Sequence, residues 1–386
     1  MKRFSLLSLL WLVCLAVVAQ PSQPRLLSRP LTPVPADSVM FMSAGENWRT
    51  MALAADPALR PAPFRPVSPA DFATQAKVWE ARTADSLNLV GGTGDELRQP
   101  QLASALHTLH TSASLFLASG DGRYMEAAER ALMNAVAAGA APDRPTAERR
   151  AAGEALIAAP SLIYATDAEG LYVNLFVNSY AIVRAAGFDG AVDQVTDMPA
   201  TGVVVLRLRP RANSSPMTLR LRLPGWGAGR VVPEGRYTAE GAQPLPEVYI
   251  NGKEALASSV EGGYLTVRRK WNRGDEVRLV FPLPVLSVRS VEDGAARRGR
   301  VALTRGPLTY VAAEPGAGLH LSDSVPPQPD YTINYTGFVP LAGRLDPDTP
   351  QAGSSATAGV ALKAVPYAYA SQLLKGRLTL WLPERP

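Results

Sequence analysis

Residues 205–223 read VLRLRPRANSSPMTLRLRL, two runs in which leucine alternates with arginine on either side of Asn213-Ser214-Ser215-Pro216. A period of two sends successive side chains to opposite faces. Each run is therefore predicted to be a strand with one wet face, and the polar break a turn. The same rhythm continues in Val248-Tyr249-Ile250, Tyr264-Leu265-Thr266-Val267, Val277-Arg278-Leu279-Val280 and Leu378-Thr379-Leu380-Trp381. Asn251-Gly252, Glu261-Gly262-Gly263 and Arg273-Gly274-Asp275 punctuate it as turns. Short strands so separated predict an antiparallel β-sandwich from Ser161 onward, with the alternating arginines on its solvent face rather than on an anion-binding surface.

Upstream the period is helical. Pro24, Pro30, Pro33 and Pro35 predict an extended lead-in, and Glu46 to Ala55 a helix stopped by Pro57 and not resumed before Pro61 and Pro63. Helices are expected over Gln101 to Ala118 and Arg123 to Ala138. In the second, Met125, Ala128, Leu132 and Val136 share a face, Glu126 precedes Arg130 by one turn, Asp121 can cap the start and Gly139 can end it. Ser119-Gly120-Asp121-Gly122 is short enough to make the pair an antiparallel hairpin. The predicted class is α+β, divided into 1–19, a helical 20–160, a β-sandwich 161–290 and a C-terminal β domain 291–386 that completes the sandwich.

With 47% hydrophobic and 19% charged residues, the 386-residue chain has enough apolar surface to fold, which excludes a disordered protein. Its one long apolar run, Phe4 to Val18 behind Lys2 and Arg3, excludes a polytopic membrane protein and reads as a signal peptide, with Val17 and Ala19 as the small residues before the cut. A short retained anchor is the alternative. Export to the periplasm or medium follows, with no membrane contact after cleavage. Losing Lys2 and Arg3 takes the net charge of +5 to +3, and no run of five basic residues occurs, so a nucleic-acid partner is not expected. Cys14 is the only cysteine and lies in the apolar run. Leu12 and Val13 before it are too large for a lipidated cysteine, so a processed chain would have neither disulfides nor a thiolate nucleophile.

Candidate chemistry is sparse. His107 and His110 stand at i and i+3, a spacing two metal ligands can share, but no acid between Gln99 and Gly120 joins them, and two structural histidines are the alternative. His320, expected in a loop, is the only other base for a Ser-His-Asp arrangement. Gly91-Gly92-Thr93-Gly94 lacks the Lys-Ser/Thr of a phosphate loop and is read as a tight turn. Asp95, Glu96 and Glu148 are available as glycosidase carboxylates, although sequence spacing does not set their separation.

Several phrases together resemble glycoside hydrolase family 127, the β-L-arabinofuranosidase-like family. They are Ile163-Tyr164-Ala165-Thr166-Asp167 running into Gly170-Leu171-Tyr172-Val173-Asn174-Leu175, then Leu221-Arg222-Leu223-Pro224-Gly225-Trp226, Val248-Tyr249-Ile250-Asn251-Gly252 and Gly263-Tyr264-Leu265. Trp271 with Gly274-Asp275, Ala302 to Tyr310, Ala364-Val365-Pro366-Tyr367 and Trp381-Leu382-Pro383-Glu384 follow in order. Gly120-Asp121 through Tyr124, with Glu129-Arg130-Ala131-Leu132 and Asn134, looks like the family's final barrel helices, and Glu46-Asn47-Trp48-Arg49 with Asp56-Pro57 up to Pro63-Phe64-Arg65 like its first.

The resemblance implies an α/α toroid of about a dozen helices, carrying the active site, followed by β-sandwich domains. Only Arg65 to Gly91 joins the first helix to the last few here, so it implies an incomplete toroid that lacks most sugar contacts. In the family a Glu-Thr-Cys motif supplies two zinc ligands, and the matching register holds Gln101-Leu102-Ala103. A Cys-Cys-Pro-Pro-Asn motif supplies two more, its first Cys being the nucleophile, and that register holds Ala147-Glu148-Arg149-Arg150-Ala151. The implied zinc site is thus lost, no cofactor is expected, and no residue takes a catalytic or metal-binding role, the acid/base function not being carried onto Glu96. The expectation is an exported pseudoenzyme related to β-L-arabinofuranosidases, with an arabinose-containing glycan as partner. A residual carboxylate-based glycosidase using Glu96 and Glu148 is one alternative. Another is a non-catalytic carbohydrate-binding or interaction protein, for which an exposed patch of Trp226, Tyr264 and Trp271 is required, against core packing of the same residues.

Overall fold

The computed structural model describes residues 25–42, 44–93, 101–185, 187–228, 235–239, 246–255, 259–291, 297–333, 337–348 and 359–385, together with Arg230 and Tyr335. Helix α1 spans Ala44–Ala55, α2 Phe72–Asp85, α3 Leu102–Ser119, α4 Gly122–Ala131 and α5 Thr146–Ala158. A π-helical turn, Leu132–Val136, carries α4 on into Ala137–Gly139. The hairpin of α3 and α4 forms as its sequence predicts. Gly120 closes α3, and Asp121 Oδ1 accepts the Arg123 amide at 3.0 Å to cap α4. Asp121→Ala is expected to cost about 1 kcal/mol, read as a lower urea midpoint with an unchanged slope. Two helices were not anticipated. In α2, Phe72, Ala76 and Trp79 face inward at helical spacing, and α5 covers the stretch aligned with the second zinc motif.

Downstream the chain is antiparallel sheet, apart from one parallel pair. The first sheet orders Thr32–Pro33, Tyr164–Thr166, Gly170–Val173, Ser215–Arg222, Tyr264–Trp271 and Val260–Glu261, with Gly170–Val173 parallel to Ser215–Arg222. The second orders Lys253–Glu254, Glu247–Ile250, Glu276–Val280, Val203–Pro210, Phe188–Thr196, Ser179–Ala185 and Val39–Phe41. The lead-in is therefore more than a tether, because it supplies an edge strand to each sheet. A third sheet runs from Leu319–Leu321 through Leu341–Pro347, Val360–Pro366, Leu308–Ala313, Arg300–Arg305 and Leu286–Ser290 to Tyr237–Ala239. His320 thus lies on a strand, not in a loop.

Leu206, Leu208, Leu219, Leu221, Val267, Val277 and Leu279 of the first two sheets belong to one apolar core, which also takes in Leu109, Phe116 and Leu156 of the helices. A second, smaller core lies under the third sheet around Leu303, Tyr310 and Leu345. On Val203–Pro210 the alternation holds as predicted, with Leu206 and Leu208 inside and Arg207 and Arg209 exposed. Those surface arginines are paired, Arg207 to Glu276 at 3.1 Å and Arg209 to Asp193, and each pair contributes at most about 1 kcal/mol. Arg222 breaks the pattern. Helices cover that face of the first sheet, where Phe116 of α3 packs against Tyr172 and Tyr264, so Arg222 is 1% exposed instead of wet.

Candidate functional site

The helical layer meets the sheets along two polar seams. At the first, α4 aims Glu126 and Glu129 at Arg222 on the sheet. Arg222 donates to Glu126 Oε2 at 3.4 Å, to Glu129 Oε1, and to the Asn174 carbonyl. The Gly225 amide also donates to Glu126 Oε2 at 2.7 Å and Trp226 Nε1 to Glu129 Oε2 at 2.8 Å, while Glu126 Oε1 is buried with no hydrogen-bond partner among the described residues. Tyr264 Oη donates to Asn174 Oδ1 at 2.8 Å and closes the network. Burial pushes the Glu129 carboxyl up against the pull of Arg222, with Glu126 adding to the rise. Burial lowers Arg130, while for Arg222 the two carboxylates outweigh burial and hold the guanidinium above its ordinary range.

The second seam is the turn Leu87–Thr93, closed by a bridge between its two ends. Asn88 Oδ1 accepts the amides of Val90 at 3.2 Å and Gly92 at 3.0 Å, and Asn88 Nδ2 donates to Gln101 Oε1 at 2.8 Å. Ser104 Oγ accepts the Thr93 amide at 3.1 Å and donates to the Gln101 carbonyl at 3.0 Å. From below, the Leu89 carbonyl accepts from Thr309 Oγ1 at 2.7 Å and Arg130 Nη1 at 3.3 Å. The π-helical turn adds a bond, because its altered register leaves the Ala135 amide to donate to the Val90 carbonyl at 3.3 Å. One residue earlier, Asn134 bonds the carbonyls of Arg130 and Pro307 and the Thr309 amide, which locks the helix to the third sheet.

The stretches aligned with the two zinc motifs do come together. Gln101 and Glu148 line one small hollow with Leu102, Ala135, Arg144 and Tyr367. Its free volume is about 10 Å³, and a neighbouring hollow lined by Trp79, Arg82, Thr93 and His107 holds about 20 Å³. Each admits about one water, whereas ligand pockets run to roughly 300–1,000 Å³. Ala103 and Ala147 point outward. Arg149 donates to the Ala54 carbonyl at 2.7 Å and Arg150 pairs with Asp56 at 2.8 Å, so these α5 residues fasten α1. A carboxamide already bonded to Asn88, two methyl groups and one carboxylate are not a donor set for zinc.

Other sequence candidates are placed as follows. His110 packs on the Phe64 ring at 5.2 Å; burial lowers its pKa, and burial together with Arg82 and His110 lowers that of His107, which leaves both neutral near pH 7. Among the described residues no third His, Cys, Asp or Glu completes a metal set with them. His320 Nδ1 lies 2.9 Å from Asp348 Oδ1, but the nearby Ser322 and Ser324 hydroxyls both accept from Arg344 Nη2, at 3.2 and 2.8 Å. Gly91, with φ of +84°, confirms the tight turn, while Gly94, Asp95 and Glu96 lie outside the described residues. Trp226, Tyr264 and Trp271 are 4%, 1% and 0% exposed, so they pack the core and form no exposed patch. Sequence reading missed Asn88, whose only signal is a polar amide between leucines, and it placed Asn134 and Asn174 in family-like phrases without their bonding roles.

Comparison with known proteins places this architecture. Over 91% of the chain the fold superposes on a solved family 127 β-arabinofuranosidase, with a TM-score of 0.67 at 23% identity, covering 61% of that chain. A family 127 β-L-arabinofuranosidase from Geobacillus stearothermophilus T6 gives 0.67 at 22% identity, again over 61% of its length. These are likenesses of fold. By sequence, residues 170–283 match the family model described as β-L-arabinofuranosidase, GH127 middle domain. A non-reducing end β-L-arabinofuranosidase of Bifidobacterium longum subsp. longum is 30% identical over 144 residues, a stretch spanning 36% of this chain and 18% of that protein. The chain is a glycoside-hydrolase relative. More specifically, it is related to the β-L-arabinofuranosidases of family 127, and residues 170–283 are similar to that family's middle domain.

Proposed function

We propose that the chain is an exported, catalytically impaired relative of the family 127 β-L-arabinofuranosidases, its helices a remnant of an α/α toroid packed on antiparallel sandwiches. One observation carries this reading. Where the family's thiolate and metal chemistry would sit, the chain has Gln101, Ala103, Ala147 and Glu148, and it has no cysteine beyond Cys14. Without a thiolate neither the nucleophile nor the ligand set can form. The hydrogen-bonded Gln101 and the narrow hollow beside it support the same conclusion. Export rests on Lys2 and Arg3 ahead of the apolar run, residues outside those described; no helix among the described residues is long and apolar enough to cross a membrane. An arabinose-containing glycan is the partner that the named activity of the relatives suggests.

The test is hydrolysis of a chromogenic β-L-arabinofuranoside by residues 20–386, with and without zinc and reductant. Release no faster than the uncatalysed rate is expected under every condition, and glycan-array binding would then separate a carbohydrate-binding role from a purely structural one. Clear release would overturn the reading. If it survived chelation, Glu148→Gln and Glu96→Gln would locate the carboxylates.

A further inference from the structure

We propose that an amide clamp, Asn88 against Gln101, occupies the place of a metal centre and locks the turn Leu87–Thr93 without any ion. The proposal rests on the register that aligns Gln101 with a metal-ligand position, and it goes beyond loss of activity to say what now performs the mechanical part of the metal's work.

A metal ion fixes a loop by gathering donors from separate elements around one point. Here the gathering is done by two carboxamides and a hydroxyl. Gln101, 3% exposed at the start of α3, presents Oε1 to Asn88 Nδ2 at 2.8 Å. Asn88, 0% exposed, then has its own oxygen aimed back at the amides of Val90 and Gly92, so that one side chain organises the whole turn. Ser104, one helical turn beyond Gln101, takes the Thr93 amide. A neutral amide can both donate and accept, which lets Asn88 join Gln101 to the turn; a carboxylate at position 88 could accept the turn amides but could not donate to Gln101.

The glycine at position 92 belongs to the same device. A Cβ there would stand 2.2 Å from Gln101 Oε1 and 2.8 Å from Ser104 Oγ, so the clamp and a side chain at position 92 exclude each other. The carbonyls of the turn are engaged from the opposite side by Thr309, Arg130 and Ala135. Amides and carbonyls of the turn are thus both engaged by side chains and backbone of the protein, which leaves the turn little freedom.

The purified chain is tested for bound zinc by elemental analysis, for melting temperature with and without EDTA or added zinc, and for amide exchange across 87–93. Absence of stoichiometric zinc and a melting temperature unmoved by either addition are expected. In Asn88→Ala, exchange of the Val90 and Gly92 amides should accelerate about tenfold or more, as loss of a buried acceptor requires. Gln101→Ala, which spares the acceptor, should loosen the same amides less, and it serves if Asn88→Ala does not fold. Stoichiometric zinc, a melting temperature lowered by EDTA, or unchanged exchange in both variants would overturn the clamp. A zinc-loaded but inactive protein would sink this proposal and the loss of the ligand set while leaving catalytic impairment standing, whereas metal-free hydrolysis of an arabinofuranoside would sink the functional reading and leave the clamp standing.

Discussion

Replacing Arg222 by methionine is expected to destabilise the protein by about 3–5 kcal/mol, a large fraction of the stability of a typical domain. Arg222 is 1% exposed and is the direct guanidinium partner of both Glu126 and Glu129. Without it Glu129 keeps only the Trp226 N–H, and its charge stays in a medium that cannot solvate it. The loss comes from an uncompensated carboxylate rather than from the worth of an ion pair, and a second variant separates the two. Arg222→Met with Glu129→Met removes one charge of each sign, leaves Glu126 with the Gly225 amide, and should recover most of the loss. Urea denaturation reads both. A single variant within about 1 kcal/mol of the wild type would show that the junction does not depend on this cation.

Alkaline pH is the second large lever. Burial raises the phenols of Tyr124, Tyr164, Tyr264 and Tyr310 well above their ordinary value, and Tyr172 is pushed up to about 12. In the unfolded chain the same groups ionise near 10. Because the folded-state pKa is the higher one, their stabilising contribution is complete below pH 10 and is lost as pH rises towards 12 and beyond. The gap between about 12 and the ordinary value makes Tyr172 alone a sizeable contributor, and the other four act in the same direction. Tyrosinate absorbance should therefore appear cooperatively, together with loss of the far-ultraviolet signal. A smooth titration near pH 10 with the fold intact would contradict this, and Tyr264→Phe should delay the transition.

Strands and turns were legible because period-two alternation survives wherever one sheet face is wet. Val203–Pro210 obeys it. Alternation failed at Arg222 for a physical reason: a charged residue reads as exposed unless its partners are known, and those partners lie on α4, more than ninety residues away. Glu126 and Arg130, one turn apart on α4, are likewise both buried, which their spacing does not reveal. The hairpin of α3 and α4 was clear from its cap and its apolar stripe. Helix α2 was hidden between proline-rich flanks, and α5 was seen only as a degraded motif. At the candidate site, sequence could show that sulfur ligands are missing. It could not show that Gln101 had found Asn88, because that contact depends on how a glycine turn folds back onto a helix.

The two N-terminal edge strands have a consequence for synthesis. Thr32 pairs with Thr166, 134 positions later, and Val39–Phe41 waits for Ser179–Ala181. During synthesis these two strands wait for their partners, and every helix from Ala44 to Ala158 is made while those edges are open. Met40, 58% exposed even in the finished sheet, would be presented to other chains throughout that interval. Overexpressed chains are thus most prone to cross-pair during translation, and a lower expression level should raise the soluble fraction without altering the stability of the product.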